Sequence, residues 1–337
     1  MNRSTKDWKE EFKSILLQEK SAKDKAGRDN PAQEGYAVQT VSVGEAGHAH
    51  VCQLWDGITL WANDVHMKSI SYPGYDLATW EYLLVNICHV GRCEVGMLDD
   101  RYVYMAPGMI CLSSTAPRDG YLYPGELYQG LEIAFDLKKI RGAFPEELAA
   151  YGFSRECLEK YVGKSHANTM AVAGEKVLVK SKALHEALSK GDRSLGEYRF
   201  YFLELLFLLM HGGASSTGAR SLVTKGQRKI AVETENYLMQ NLAGRTTVEE
   251  LAGRYDISPS TLKKYFEAVY GSPISYYVRD RRMAKAKELL ATSQESVGEI
   301  ALLCGYENQG KFGAVFKSCT GETPLEYRRL HRPNRVN

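Results

Sequence analysis

The stretch ENQGKFGAVFKSCTGETPLEYRR, residues 307–329, carries the clearest fold signal in this chain of 337 residues. Its apolar residues recur at positions i, i+3, i+4 and i+7 of one helical face: Phe312, Val315, Phe316 and Cys319. Such a stripe predicts an amphipathic helix. The segment Thr323-Pro-Leu-Glu326 that follows is a capping box, which predicts the start of another helix. Capping boxes at Thr247–Glu250 and Ser296–Glu299 predict two more helix starts, and Ser272 before Pro273 predicts a further N-cap.

Two glycines, Gly310 and Gly313, interrupt this predicted helix. A glycine inside a helix costs about 1 kcal/mol relative to alanine. The sequence therefore poses the question of what a helix near the end of the chain gains from keeping both of them.

The same pattern occurs once before in the C-terminal third. VEELAGRYDISPSTLKKYFEAVYGSPISYYVR (248–279) aligns with VGEIALLCGYENQGKFGAVFKSCTGETPLEYRR (297–329), with one extra residue in the turn of the second copy. Each copy predicts a short helix, a tight turn and a second helix, which is a helix-turn-helix unit. The connector, Ile274–Leu290, predicts one helix spanning roughly 25 Å. That length would let the two second helices enter successive major grooves, about 34 Å apart.

The charge distribution indicates a polyanion partner for this part of the chain. The formal net charge is +2, but residues 221–337 carry +5 and the remainder carries −3. In the first unit, small hydroxyl and cationic residues lie off the apolar stripe: Ser260, Thr261, Lys263 and Lys264. These side chains suit contacts to phosphates and base edges. A plain helical repeat with a solvated basic face is the alternative, and two units in register favour DNA binding.

These motifs resemble the AraC/XylS family of transcription regulators. The resemblance rests on LAGRYDISPSTLKKYF, RRMAKAKELL, IALLCGY, KFGAVFK and GETPLEYRR. It implies an all-α domain of two helix-turn-helix units joined by a long helix. The implied partners are double-stranded promoter DNA, RNA polymerase, a small-molecule effector and a second copy of the chain. By position, the implied DNA-binding residues are Ser260, Thr261, Lys263 and Lys264 in the first unit, and Asn308, Gln309, Lys311 and Lys317 in the second.

The resemblance also gives a partial answer for the glycines. Many family members have longer polar residues where this chain has Gly310, Gly313 and Ala314. Without those side chains the backbone could approach DNA closely, and Ala314 could contact a thymine methyl group. The hypothesis is that the second unit mainly positions the protein on phosphates, while the first reads more of the sequence.

The rest of the chain predicts a multidomain α+β protein. Residues 36–144 alternate short β-branched or aromatic runs with turn signals, which favours an all-β domain, and by resemblance a cupin-like barrel. Residues 145–210 predict helices, with an apolar helix at the end suited to dimerisation. Residues 211–221 are a Gly/Ser-rich linker, residues 222–332 the double helix-turn-helix domain, and residues 1–35 a charged arm with one short helix.

The β domain is expected to hold the effector. Its candidate ligand-binding residues are aromatic: Trp55, Trp61, Tyr102, Tyr104, Tyr121 and Tyr123. Aromatic walls with hydroxyl groups suit an amphipathic small molecule, although the same residues could simply fill the core.

Other classes of site have weaker support. His48 and His50 form an H-x-H pair, but the glutamate that metal-binding cupins place after such a pair is missing, so neither a metal nor another cofactor is expected. The seven cysteines show no zinc spacing and indicate buried thiols in a reducing cytoplasm. None lies in the setting of a nucleophilic DNA-repair cysteine.

The sequence thus predicts a cytoplasmic transcription regulator that is not an enzyme, with activation and repression both open. No apolar run is long enough to span a membrane. A cupin-type metal-dependent enzyme with an accessory helical domain is the alternative, and a non-specific architectural DNA binder is a third possibility.

Overall fold

The computed structural model describes residues 37–43, 46–70, 81–97, 100–114, 120–154, 156, 168–216 and 222–332. The chain divides into two compact units. One comprises 1–99 with 103–220, and the other comprises 100–102 with 221–337. They are called here the strand-rich unit and the helical unit. The predicted arm, residues 1–35, lies outside the described residues, as does part of the predicted linker.

Short strands and a few helices build the strand-rich unit. Its strands are β1 (Val38–Ser42), β2 (Gly47–Trp55), β3 (Ile58–Val65), β4 (Ser69–Ile70), β5 (Tyr82–Gly91), β6 (Cys93–Gly96), most of β7 (Arg101–Met105), β8 (Met109–Ser113), β9 (Tyr121–Leu122), β10 (Tyr128–Asp136), β11 (Thr169–Ala173) and β12 (Ala214–Ser216). The first two residues of β7, Arg101 and Tyr102, are assigned to the helical unit. Its helices are α1 (Leu137–Gly142), α2 (Glu146–Ala149), α3 (Glu175–Lys190) and α4 (Leu195–Met210).

Eight strands form the main sheet, in the order β1-β2-β3-β10-β5-β8-β11-β12. Each of its seven neighbouring strand pairs is antiparallel. The short strands β4 and β9 pair separately. Among the described strands the main sheet has two free edges, β1 and β12, so no closed barrel is seen. The strand-rich character predicted for this region is confirmed, whereas the cupin-like barrel is not.

The two faces of the main sheet have different environments, because successive side chains on a strand point to opposite sides. On β10, Leu131, Ile133 and Phe135 are buried in a core shared with α3 and α4. We call this the helix-covered face. On the opposite face, Val65, Cys88 and other residues pack with side chains of the short strands.

The apolar helix α4 is packed within its own unit. Tyr198, Phe202 and Leu205 are fully buried in the core beneath it. Phe200 and Phe207 point outward instead, with 66% and 50% of their surface exposed. Packing against the unit's own sheet therefore explains only part of the helix's apolar surface.

Helices make up most of the second unit. Its elements are β13 (Val223–Thr224), α5 (Lys225–Gln240), α6 (Val248–Gly253), α7 (Pro259–Tyr270), α8 (Ile274–Thr292), α9 (Val297–Leu303), α10 (Gln309–Thr320) and α11 (Pro324–His331). The capping boxes predicted at Thr247, Ser296 and Thr323 are all present. The cap predicted at Ser272 is wrong, because Pro273 itself occupies the N-cap position of α8.

The internal repeat is confirmed in the packing of the two helix-turn-helix units. Phe266 of α7 meets Tyr277 edge-on at 5.3 Å between ring centroids. Phe316 of α10 meets Tyr327 in the same way at 5.4 Å. Because these residues occupy equivalent positions in the two copies, the sequence repeat is a repeat of three-dimensional structure. The connecting helix α8 has 19 residues, a length of about 28 Å.

Within the described residues, no helix is both long enough and apolar enough to cross a membrane.

Candidate nucleic-acid interface

The first candidate recognition helix, α7, presents two adjacent lysines. Ser258 caps its N-terminus by accepting a hydrogen bond from the Thr261 backbone N–H at 3.2 Å. Leu262 and Phe266 are fully buried, which turns the other side of the helix outward. Lys263 and Lys264 lie exposed on that side, so both are available to an anionic partner.

Two further residues predicted to bind DNA take part in the cap. The side-chain oxygens of Ser260 and Thr261 lie 2.9 Å and 2.8 Å from the Ser258 hydroxyl oxygen. Ser260 is exposed, whereas Thr261 is half-buried. Their hydroxyl groups therefore already serve the helix terminus, a role that the sequence analysis did not assign to them.

The second candidate recognition helix, α10, begins at Asn308. Its side-chain oxygen accepts a hydrogen bond from the Lys311 backbone N–H at 3.0 Å, so Asn308 is the N-cap. Phe312 and Phe316 are fully buried. The remaining predicted DNA-binding residues of this unit share the exposed side of the helix: Gln309, Lys311 and Lys317.

The two glycines of α10 differ in their surroundings. A methyl group added at Gly310 would lie 3.0 Å from the capping oxygen of Asn308, a close contact. The same group at Gly313 would meet nothing within 4 Å. Internal packing therefore explains the absence of a side chain at Gly310 but not at Gly313.

Arg282, on the connecting helix α8, ties the two helix-turn-helix units together. Its guanidinium donates hydrogen bonds to the carbonyl oxygens of Leu242 at 2.8 Å and Gly244 at 2.8 Å, just before the first unit. It also donates to the Gly305 carbonyl at 3.3 Å, in the turn of the second unit. Gly305 has a φ of 77°, and a Cβ there would lie 2.7 Å from the guanidinium.

Arg282 was not predicted as a functional residue, although it lies in RRMAKAKELL, one of the motifs that carry the family resemblance. The partners of Arg282 are backbone carbonyls, which have no signature in side-chain sequence. A second connection lies nearby, since Arg245 and Glu307 form an ion pair at 2.7 Å. These contacts fix the loop before the first unit against the turn of the second.

The predicted ligand-binding aromatics of the strand-rich unit are not brought together as one set. Trp55 packs on the helix-covered face, 5.8 Å from Phe202 between ring centroids. Trp61 lies on the opposite face of the sheet by strand alternation. Tyr104 is buried and donates a hydrogen bond to Glu94 at 2.5 Å.

Of the other three aromatic candidates, two lie side by side and one lies on a different strand. Tyr123 is buried in the core opposite the helix-covered face, where its ring lies 5.4 Å from that of Tyr128. Tyr121 is half-buried beside it, with 6.3 Å between the two ring centroids. Tyr102 is half-buried on β7. Several of the six therefore contribute to cores, as the alternative interpretation anticipated.

The H-x-H pair lies near an acidic residue. The rings of His48 and His50 are 5.1 Å apart, and Asp64 lies 2.9 Å from His66 and 3.9 Å from His48. Burial lowers the pKa of His50, and the neighbouring His48 lowers it further. In the part of the chain that the structure describes, no group of three or more His, Cys, Asp or Glu residues is arranged to hold a metal ion.

The cysteines are mostly buried, as predicted. Cys52, Cys88, Cys93, Cys111 and Cys304 are buried free thiols, while Cys319 is exposed. Burial raises the pKa of Cys52 to about 11 and that of Cys88 to about 12, so both thiols stay protonated and unreactive at neutral pH. Cys157 lies outside the described residues.

Comparison with known proteins agrees with this geometry. Residues 251–330 match a helix-turn-helix domain family. The xylose operon regulatory protein of Escherichia coli K12 is 26% identical over 185 residues, which cover 55% of this chain and 45% of that protein. The transcriptional activator RhaR of Pectobacterium carotovorum is 32% identical over 93 residues, which cover 28% of this chain and 33% of that protein. The first is named as the regulatory protein of an operon and the second as a helix-turn-helix transcriptional activator.

A solved structure was also found, the DNA-binding domain of AdpA in complex with a target DNA. It is 30% identical, with 31% of this chain and 95% of that chain covered and a TM-score of 0.30. A TM-score this low does not establish a shared fold across the whole chain. The matches span less than half the length of the two regulators named above. Residues 251–330 nevertheless carry the family match and the repeated packing together, and they form an AraC-type helix-turn-helix domain.

Proposed function

We propose that this chain is a sequence-specific DNA-binding transcription regulator. The observation that carries the proposal is the repeated packing of α7 and α10, each of which turns lysines outward opposite a buried Phe. Lys263, Lys264, Lys311 and Lys317 would contact DNA, with Gln309, Ser260, Thr261 and Asn308 beside them. Both helices carry short polar side chains at their N-termini, where a recognition helix contacts base edges.

The test is fluorescence-anisotropy binding to DNA from upstream of its own and neighbouring genes. Random DNA of equal length is the control, and both are measured over a salt series. We expect a preference of about a thousandfold or more for one upstream fragment. Binding should weaken steeply with salt, because lysine–phosphate contacts release counterions. Equal affinity for both DNAs would indicate an architectural binder instead.

A pair of variants separates the proposed interface from general charge effects. Lys263→Ala combined with Lys311→Ala should reduce affinity strongly, because it removes one exposed cation from each recognition helix. Lys176→Ala, an exposed lysine on α3 of the strand-rich unit, removes charge elsewhere and should leave affinity nearly unchanged. If the two proteins bind equally well, α7 and α10 are not the interface.

The proposal extends to the strand-rich unit, which would sense a small-molecule effector with a cupin-like sheet. Residues 36–144 would be the sensor, with β11 and β12 completing its sheet. The helices within 145–210 would be a dimerisation segment, and the chain after β12 would link to the DNA-binding domain at 222–332. Effector binding would change how two DNA-binding domains are presented to promoter DNA and RNA polymerase. The protein would act as a homodimer in the cytoplasm.

The exposed rings on α4 support the dimer. Phe200 and Phe207 leave a large apolar surface on the segment proposed for dimerisation, and burying it would be favourable. Sedimentation equilibrium should show a dimer that Phe200→Glu with Phe207→Glu converts to a folded monomer. A wild-type monomer at micromolar concentration would contradict the dimer.

A further inference from the structure

A row of side chains crosses the main sheet on the face opposite the helix-covered face. Glu132 on β10 pairs in register with Trp61 on β3 and with Asn86 on β5. Side chains directly opposite in adjacent antiparallel strands lie about 5 Å apart on the same face. A carboxylate is therefore flanked by an indole ring on one side and an amide on the other.

The amide of Asn86 is held in one orientation by Tyr128. The Tyr128 hydroxyl donates a hydrogen bond to the Asn86 side-chain oxygen. Asn86 in turn donates from its Nδ2 to Glu132 Oε2 at 3.3 Å. Gly130 makes this possible, because a Cβ there would lie 2.4 Å from the Tyr128 hydroxyl oxygen. The two hydrogen bonds, from Tyr128 to Asn86 and from Asn86 to Glu132, fix the orientation of the Glu132 carboxylate.

The carboxylate of Glu132 has no positively charged partner among the described residues. Burial raises the pKa of Glu132 to about 7, and the hydrogen bond from Asn86 lowers it only in part. The titratable groups that sense its charge are Tyr128 and Cys93. Burial raises the pKa of both, so they are neutral at pH 7. Glu132 keeps part of its surface accessible.

A desolvated carboxylate without a cation is unfavourable, so Glu132 is partly protonated near pH 7, and a cation bound beside it would favour the charged form. The indole of Trp61 offers an electron-rich face, which attracts ammonium groups. A neutral polyol could donate hydrogen bonds to Glu132 and accept them from Asn86, but it would gain neither the Coulomb attraction of the carboxylate nor the cation–π attraction of the indole. We propose that Glu132, Trp61 and Asn86 form a binding site for a small organic ammonium compound, with Tyr128 as a positioning residue. This inference rests on the proposed function, in which a small-molecule effector controls DNA binding, and it names the chemical class of that effector.

The direct test is calorimetric titration of the full chain, without DNA, with small primary amines. Each amine is paired with the alcohol of the same carbon skeleton, and phenethylamine and 2-phenylethanol are the first pair. We expect at least one amine to bind with an affinity at least about tenfold above its alcohol, since a hydrogen bond between charged groups is stronger than one between neutral groups. If no amine in the panel outbinds its alcohol, the proposal is wrong.

Two isosteric variants locate the site. Glu132→Gln keeps the shape of the side chain and removes its charge, so it should abolish the preference for the amine. Glu81→Gln removes a solvent-accessible carboxylate that pairs with Arg141 at 2.9 Å, and it should leave the preference intact. Amine binding that survives Glu132→Gln would place the site elsewhere.

Thermal unfolding tests the buried charge without any ligand. The pKa of Glu132 is raised in the folded protein, so the folded state holds its proton more tightly than the unfolded state. Stability is then lost as the pH rises from the unfolded pKa of about 4.3 to the folded value of about 7. Glu132→Gln should raise the Tm at pH 8 and change it little at pH 4. A Tm lowered at pH 8 would contradict an unpaired carboxylate.

DNA binding distinguishes failure of this inference from failure of the proposed function. In the absence of amine, Glu132→Gln should bind upstream DNA as the wild type does. If no amine binds but specific DNA binding persists, only the ligand class is overturned. If amines bind at Glu132 but DNA is not bound specifically, the amine site is supported and the proposed function as a sequence-specific regulator is wrong.

Discussion

The two helix-turn-helix units have the same interior and different exteriors. Each buries a Phe from its second helix against a Tyr that follows, at nearly the same ring distance and angle. On the exposed side, α7 carries Lys263 and Lys264 next to each other, whereas α10 carries Lys311 with Gly310 and Gly313 around it. The shared interior sets the fold of each unit, and the exposed side is free to differ.

The difference identifies which residues the fold does not require. Gly313 lies in a helix with open space around its missing side chain, so the fold would tolerate alanine there. Keeping glycine lowers helix stability by about 1 kcal/mol. We propose that its role lies outside the folded chain, in close approach of the backbone to DNA. On this view the second unit positions the protein and the first reads bases.

The largest expected effect concerns the link between the units. Arg282→Ala removes three hydrogen bonds from a charged donor to backbone carbonyls. We expect the free energy of unfolding to fall by about 3 kcal/mol, measured by urea denaturation. Arg282→Lys should recover only part of the loss, because an ammonium cannot reproduce the planar fork of donors. Glu288→Ala, at an exposed position of the same helix, is the control and should have little effect.

The next largest effect separates a lysine that contacts bases from a lysine that positions the protein on DNA phosphates. Lys263→Ala should reduce the preference for specific over random DNA by about tenfold, because it removes a base-directed contact. Lys311→Ala should weaken binding to both DNAs alike and reduce the salt slope by about one. Anisotropy titrations over a salt series measure both quantities. An equal loss of preference in the two variants would rule out the division of roles.

A smaller effect is expected at Gly313. Gly313→Ala should stabilise the domain by up to about 1 kcal/mol while weakening DNA binding, because the added methyl group would hold the backbone away from DNA. Gly226→Ala, at another helical glycine with open space around it, should leave DNA affinity unchanged. Unaltered DNA binding by Gly313→Ala would show that the backbone of α10 does not approach DNA closely.

The smallest effect concerns the exposed ion pair of Arg245 with Glu307. The two side chains are 79% and 72% exposed, and pairs of this kind contribute less than about 1 kcal/mol. Glu307→Gln should therefore lower stability only slightly, and the difference should vanish at high salt because ions screen exposed charges. A loss comparable to that of Arg282→Ala would show that this pair, not Arg282, joins the units.

The helical unit could be predicted well from sequence, because the patterns that mark its helices involve residues close together in the chain. Capping boxes at Thr247 and Ser296 and the spacing of Phe312 and Phe316 depend on neighbours within one turn. The role of Arg282 could not be predicted, since its carbonyl partners are 23 to 40 residues away in sequence. Proline at position 273 misled the cap prediction, because it can occupy either the N-cap or the first helical position.

The strand-rich unit was harder to predict for a different reason. Its strand content follows from composition, but the position of a side chain depends on register, and neighbouring residues point to opposite faces. Trp55 and Trp61 look alike in the sequence, yet a shift in register between Gln53 and Trp55 turns Trp55 to the helix-covered face, opposite Trp61. Glu132 was passed over because a single acid in an apolar strand shows its environment only once β3 and β5 are placed beside it.

The most direct test of the division of roles is base-by-base substitution across a bound upstream site, with affinity measured by anisotropy. The account predicts that substitutions in the half-site contacted by α7 weaken binding by about 1–3 kcal/mol each, while those in the half-site contacted by α10 have much smaller effects. In the Lys263→Ala variant, base substitutions in the half-site contacted by α7 should reduce affinity much less. Equal penalties in both half-sites would contradict the account, because the glycine-bearing helix would then be reading bases as its partner does.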